Sequence, residues 1–186
     1  MILLLAIIVG AVALDQLTKW LTVVYLDYQQ SFPLWQDVLH LTHHRNEGAA
    51  FGMLSDHRWV FMLFSTVAIV GIMIYLFRFP PKSRFVRIAL AMIVGGGIGN
   101  MIDRIALGYV IDFIDFTLID FAIFNVADSF VTVGAFMIMG YLLYDIYRDA
   151  KKAKKASCDA AEDNAESETI EADGADPEVT ENGNDE

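Results

Sequence analysis

Long apolar runs dominate the pattern of the chain, and polar positions interrupt them at a few defined places. A helix needs about 20 mostly apolar residues to cross a hydrocarbon layer of about 30 Å. Four segments approach that length: 2–26, 59–77, 86–107 and 126–147. The first is interrupted by Asp15, Gln16 and Lys19, and the second carries no charge. The third has Arg87 near its start and Asn100, Asp103 and Arg104 near its end. The fourth holds Asp128 near its start and Asp145 near its end. The pattern predicts an all-α membrane protein with four transmembrane helices. The first run reads as a span and not as a cleaved leader, because nothing basic precedes it and apolar residues resume after Lys19. Pro80-Pro81 separates the second and third helices, since neither residue can extend one.

Charge placement adds an orientation. Arg78, Lys82, Arg84 and Arg87 flank the second connection, and Arg148, Lys151, Lys152, Lys154 and Lys155 follow the fourth span. Basic flanks face the cytoplasm, so both termini are expected inside, with outer loops at 27–58 and 108–124 forming a small extracytoplasmic subdomain of short β structure. The net charge of −11 on 186 residues suggests an acidic protein. Yet residues 157–186 hold 12 Asp and Glu and no Lys or Arg, which leaves 12 acids against 13 bases in 1–156. The acidity belongs to a tail. Residues 1–150 are expected to be the membrane body, and 151–186 a basic and then acidic, disordered cytoplasmic tail. Cys158 is the one cysteine and lies in that tail. This excludes a disulfide framework, a cysteine metal site and a buried cysteine nucleophile.

Ionisable groups inside a span are costly and face a partner or a wet cavity. At about 1.5 Å per residue, Asp15 stands about 21 Å along an outward-running first helix. Asn100, Asp103 and Arg104 close the outward-running third helix, and Asn125 and Asp128 open the inward-running fourth. Three helices thus bring polar groups to one outer layer. Asp15, Thr18 and Lys19 share a face at i, i+3 and i+4, as do Asn100, Asp103 and Arg104. Asp128 stands where a helix N-terminus favours a carboxylate. Gly95-Gly96-Gly97 and Gly99 allow a neighbouring backbone to approach the third helix closely. An ion pair that merely holds the bundle accounts equally well for Asp15 with Lys19 and for Asp103 with Arg104. Asp128 differs, because a second acid lies nearby: Asp112, in Val110-Ile111-Asp112-Phe113-Ile114-Asp115.

Two carboxylates close together in a low-dielectric site cannot both ionise easily. One keeps a proton while the other is charged, a pair suited to amide hydrolysis. From spacing alone Asp115 and Asp120 compete with Asp112. Other devices are weaker. There is no H-E-x-x-H and no G-x-S-x-G. His40, His43, His44 and His57 in the first outer loop read as surface residues more readily than as metal ligands. A Ser–Lys pair would need Lys19 beside a serine such as Ser129.

The chain resembles lipoprotein signal peptidase, or signal peptidase II, through about residues 1–150. The resemblance rests on Asp15-Gln16-Leu17-Thr18-Lys19, Asn46-Glu47-Gly48-Ala49-Ala50-Phe51-Gly52, Gly95-Gly96-Gly97-Ile98-Gly99-Asn100-Met101-Ile102-Asp103-Arg104, Val110-Ile111-Asp112-Phe113-Ile114 and Phe124-Asn125-Val126-Ala127-Asp128, in the family's order. Gly97 departs from it, standing where many members have Ala. The resemblance implies that Asp112 and Asp128 are the catalytic aspartates. It implies that Asp15, Lys19, Asn46, Gly48, Asn100, Arg104 and Asn125 support the site or contact substrate, and that Asp103 is structural.

The resemblance further implies a bacterial cytoplasmic-membrane aspartyl endopeptidase, inhibited by globomycin. Such an enzyme cleaves diacylglyceryl-modified prolipoproteins just before the modified cysteine, near the extracytoplasmic face. No metal and no cofactor is expected. The partners are prolipoprotein substrates and membrane lipids, with no nucleic acid, and the protein is expected to be a monomer. The rival is a small transporter or proton channel, which also uses intramembrane carboxylates. It predicts polar groups spread through the membrane depth or helices broken at the midplane. A non-catalytic scaffold would tolerate loss of both aspartates. A presenilin-type protease would need G-x-G-D, whereas Gly97-Ile98-Gly99 is followed by Asn100. Ala156-Ser157-Cys158 lacks the apolar run of a lipid-modification motif.

Overall fold

The computed structural model describes residues 1–48, 58–119 and 121–173. The elements are α1 (Ile2–Tyr25), β1 (Ser31–Trp35), β2 (Leu39–Asn46), α2 (Arg58–Arg78), α3 (Arg84–Ala106), β3 (Val110–Asp115) and α4 (Val126–Asp173), with a short 3₁₀ turn at Thr117–Ile119. Two compact units are present, Met1–Tyr141 and Leu142–Glu186. Among the described residues, three helices are long and apolar enough to cross a membrane: Ile2–Tyr25, Arg84–Ala106 and the Val126–Lys155 part of α4. The fourth expected span is helical too, but its apolar stretch Met62–Arg78 is shorter. The outward faces carry large apolar side chains such as Leu3, Val9, Phe64, Phe136 and Leu143. Hydrocarbon accepts such a surface, and helices satisfy their own backbone within it.

In the first unit α3 is the central helix. Ser83 caps its start, its side chain accepting from Val86 N, after the Pro80-Pro81 break. A core of Leu4, Ile8, Leu76, Leu90, Ala91 and Val94 joins α1, α2 and α3. Higher up, glycine replaces side-chain packing. A Cβ on Gly95 would lie 2.7 Å from Ala11 Cβ, and one on Gly96 would collide with the backbone oxygen of Ala127. These contacts let α1 and α4 press against α3 with little between them. Gly96→Ala is therefore expected to destabilise the bundle by about 1–3 kcal/mol through overpacking. Gly71→Ala, with nothing within 4 Å of its new Cβ, should leave the melting temperature in detergent unchanged or raise it. Equal behaviour of the two variants would refute the close-packing account.

The segments after α1 and after α3 build one antiparallel sheet, order β1-β2-β3. β1 is an edge strand, where Pro33 can sit without breaking a ladder on both sides. β3 follows α3 after Gly108, whose φ of 86° turns the chain at the helix end as glycine does most easily. The short β structure expected in segments 27–58 and 108–124 is present, and β3 is largely buried.

In the second unit the described residues are helical to Asp173. Disorder was expected from the start of the acidic tail. Ala and Glu are the commonest residues of 157–173, and both have high helix propensity, so low hydrophobicity alone does not remove the helix. Arg148 pairs there with Asp145 at 2.5 Å and with Asp149 at 3.2 Å.

Candidate active site

The polar groups of α1, α3, β3 and α4 converge through hydrogen bonds. Asp15 reaches across to α4, its Oδ1 accepting from Ala127 N at 2.9 Å. A carboxylate is well placed at the free N–H groups of a helix start. The other oxygen explains Gly99, because a Cβ there would lie 2.5 Å from Asp15 Oδ2. Lys19, 2% exposed, pairs with Asp15 at 2.8 Å and Asp103 at 2.9 Å. Asp103 also accepts from Ile111 N at 3.2 Å, which ties the root of β3 to α3. Gln16, to which the sequence reading assigned no role, donates to Asp103 Oδ1 at 2.8 Å and to the backbone oxygen of Gly99 at 3.2 Å. Its adjacency to Asp15 in the motif was the available signal.

Asp112 and Asp128 face one another's electrostatic field from β3 and from the first turn of α4. Asp112 is 1% exposed. Its Oδ1 accepts from Asn125 Nδ2 at 2.6 Å and its Oδ2 from Asn46 Nδ2 at 3.0 Å. Burial pushes its pKa up, the neighbouring Asp128 pushes it further, and the donors from Asn46 and Asn125 and the charge of Lys19 pull it back, to about 7. Asp128 accepts from Asn100 Nδ2 at 2.7 Å and from Asn125 N at 3.2 Å.

Two of these amides are oriented by backbone donors. Gly48 N donates to Asn46 Oδ1 at 3.1 Å, and Asp128 N donates to Asn125 Oδ1 at 3.0 Å. A backbone N–H cannot accept, so each amide must turn its NH₂ toward Asp112. Gly48 thus acts through its backbone. Arg104 lies within electrostatic reach of Asp128, Asp112 and Asp103, with Nη1 3.4 Å from the backbone oxygen of Asn100.

The competing devices fall elsewhere. Asp115, an odd number of residues from Asp112 along the strand, points to the opposite face and accepts from Thr42 Oγ1 at 2.8 Å. Asp120, His57 and the motif residues Ala49, Ala50, Phe51 and Gly52 lie outside the described residues. Ser129 donates to the backbone oxygen of Asn125 at 3.0 Å, while the donors of Lys19 go to Asp15, Asp103 and Asn100. His40 bonds Ser31 and His43 bonds the backbone oxygen of Leu26. Among the described residues no three His, Cys, Asp or Glu are grouped to hold a metal ion. An apolar cavity of about 440 Å³ lies between the C-terminal end of α1 and the sheet, lined by Leu21, Tyr25, Leu26, Phe32, Leu41 and Phe113 among others. Phe113 adjoins Asp112 in the chain.

The family model for signal peptidase (SPase) II matches residues 7–144. The chain belongs to the signal peptidase II family. Its similarity to curated members runs along nearly their whole length. The lipoprotein signal peptidase of Brevibacillus brevis is 50% identical over 141 residues, covering 76% of this chain and 92% of that protein. That of Halalkalibacterium halodurans is 46% identical, covering 77% and 91%. The Bacillus subtilis one is 40% identical, covering 77% and 93%. A solved bacterial membrane enzyme, determined in meso at 2.3 Å resolution, superposes with a TM-score of 0.74 at 33% identity, over 78% of this chain and 90% of that one. A second, at 1.9 Å resolution, gives 0.71 at the same identity, over 78% and 95%. As a member of this family the chain is an aspartic-type peptidase of a multi-pass membrane type. The transporter reading finds no support in these relatives.

Proposed function

We propose that this signal peptidase II removes signal peptides from diacylglyceryl-modified bacterial prolipoproteins, cutting just before the modified cysteine, with Asp112 and Asp128 as its catalytic pair. The observation that carries the reading is the pair itself: two carboxylates from different elements, each holding oriented amide donors. Asp112, raised to about 7, is half protonated at neutral pH, and in that protonated form it polarises the scissile carbonyl. Asp128 takes a proton from water as the water oxygen adds to the carbonyl carbon. Collapse of the tetrahedral intermediate breaks the C–N bond, and the leaving nitrogen takes up the proton. The products are the signal peptide's new carboxylate and the cysteine's free amine.

The reading places four spans across the bacterial cytoplasmic membrane, with both termini inside and the site near the outer face. Arg78, Lys82, Arg84 and Arg87, together with Arg148 to Lys155, support that orientation. The enzyme acts as a monomer without metal or cofactor, and Asp15, Lys19, Asn46, Gly48, Asn100, Arg104 and Asn125 position the pair or meet the substrate. The apolar cavity behind Phe113 offers room for hydrocarbon of a lipid-modified substrate. The test is cleavage by the purified protein of one prolipoprotein with and without its diacylglyceryl group, read by mass. Modified substrate should be cut faster by at least about tenfold, since a few buried methylenes at about 0.8 kcal/mol each suffice. Equal rates, or no cleavage of either form, would overturn the substrate assignment.

A further inference from the structure

We infer that Lys19 is a positioning residue: its ammonium fixes which end of the Asn100 amide faces Asp128, and so how the Asp112–Asp128 pair shares its proton. The inference rests on the reading of that pair as catalytic. A buried lysine between two aspartates is explained as a counter-ion of the bundle, and two of its N–H groups do serve Asp15 and Asp103. The third does not. It reaches Asn100 Oδ1 at 2.9 Å.

An ammonium has three donors and no acceptor. The Asn100 atom beside it must therefore be the oxygen, which turns Nδ2 toward Asp128 Oδ1 at 2.7 Å. With the amide reversed, two oxygens would meet at that distance, an arrangement that requires a proton between them. The pair's proton would then be drawn to Asp128. Asn125 Nδ2 also donates to Asn100 Oδ1, at 3.0 Å. That group is shared with Asp112 Oδ1 and, at 3.4 Å, with the backbone oxygen of Ile111. The charged donor is the undivided one, and charge-assisted hydrogen bonds are the stronger kind.

Asn46, Asn100 and Asn125 thus follow one rule. Each amide oxygen is occupied by a group that can only donate, and each NH₂ is presented to a carboxylate of the pair. Gly48 N and Asp128 N do this for two of them; Lys19 does it for the third, and it alone brings a charge. The groups facing this cluster among the described residues are Asp15 from α1, Asp103 and Arg104 from α3, Asp112 from β3 and Asp128 from α4.

The test uses the full chain in detergent, with wild type and Asp112→Asn beside Lys19→Met/Asp103→Asn, which removes one cation and one anion together. Lys19→Gln, which keeps a neutral N–H donor, is the second variant. Expected is a roughly tenfold lower kcat, the size of one hydrogen bond to a charged group, with KM little changed because Lys19 is buried and its three donors are taken. The alkaline limb of the rate profile should move to higher pH, since the doubly charged pair loses a nearby cation. A purely structural lysine would lower the melting temperature and the folded fraction but leave the profile of the folded enzyme in place. Native kcat and profile in whichever variant folds overturns the proposal. If neither folds, Lys19 belongs to the fold alone and the proposal also falls. Cleavage by Asp112→Asn would instead sink the reading of the catalytic pair, so the two failures are distinguishable.

Discussion

Asp112→Asn and Asp128→Asn are each expected to lower kcat on a modified prolipoprotein by roughly 10³-fold or more, within the range general acid–base catalysis supplies. Each substitution keeps the shape of the side chain and removes the ability to hold or take the proton. Asp112→Asn also turns an acceptor of two amide N–H groups, from Asn46 and Asn125, into a group with one oxygen to offer. The double variant should be little worse than either single one, because residues that act as a unit lose their contribution at the first removal. Asp115→Asn is the control. It sits on the same strand, but its partner is the Thr42 hydroxyl, so its activity should stay near wild type. Signal-peptide release is measured by mass after confirming a folded variant by thermal melt. Activity that survives in either single variant, or that disappears equally in Asp115→Asn, would remove Asp112 and Asp128 from the chemistry.

The sequence shows the ingredients of this site better than their connections. Helical spacing alone puts Asp15, Thr18 and Lys19 on one face and Asn100, Asp103 and Arg104 on another. Apolar runs then bring those faces to one end of the bundle. What spacing cannot show is how closely the helices approach. The bond from Ala127 N to Asp15 exists because α4 lies against the backbone of α3 at Gly96 and Gly99. Glycine runs permit such an approach without specifying its partner. Residue spacing leaves Asp115 open where the family resemblance implies Asp112; the strand register separates them, because a side chain's face follows from parity along a strand. Orientation of the three amides is a network property. No local pattern says which end of Asn100 meets Lys19. The helix through residues 157–173 was missed because low hydrophobicity and acidity were read as disorder, whereas alanine and glutamate also favour helix.

Rising pH is expected to destabilise the protein through Asp112 on the way to about pH 7, and to switch the enzyme off above it. The catalytic reading needs one proton in the pair. Asp112 gives that proton up at about 7, so above this pH activity should fall about tenfold per pH unit, approaching 10²-fold near pH 9. It should also fall at acid pH, where the pair takes up its second proton. The stability sign follows from linkage. The folded carboxyl is raised from an ordinary 3.8 to about 7, so the folded chain holds this proton where the unfolded chain has released it. The contribution is complete below the unfolded value and is lost as pH rises through the folded one. Apparent melting temperature should therefore decline across about pH 4 to 7 from this group and then level off. Asp112→Asn has no proton to lose, so it should gain on the wild type at pH 8 relative to pH 5, while being inactive at both. Holding the Asp112 carboxyl out of water beside a second one thus carries a cost that the Asn variant relieves. Rates and melts collected from pH 4 to 9 on both proteins decide it. A wild-type rate that is flat through pH 7, or an Asp112→Asn variant whose melting temperature follows the wild type at every pH, would show that Asp112 does not carry the shared proton.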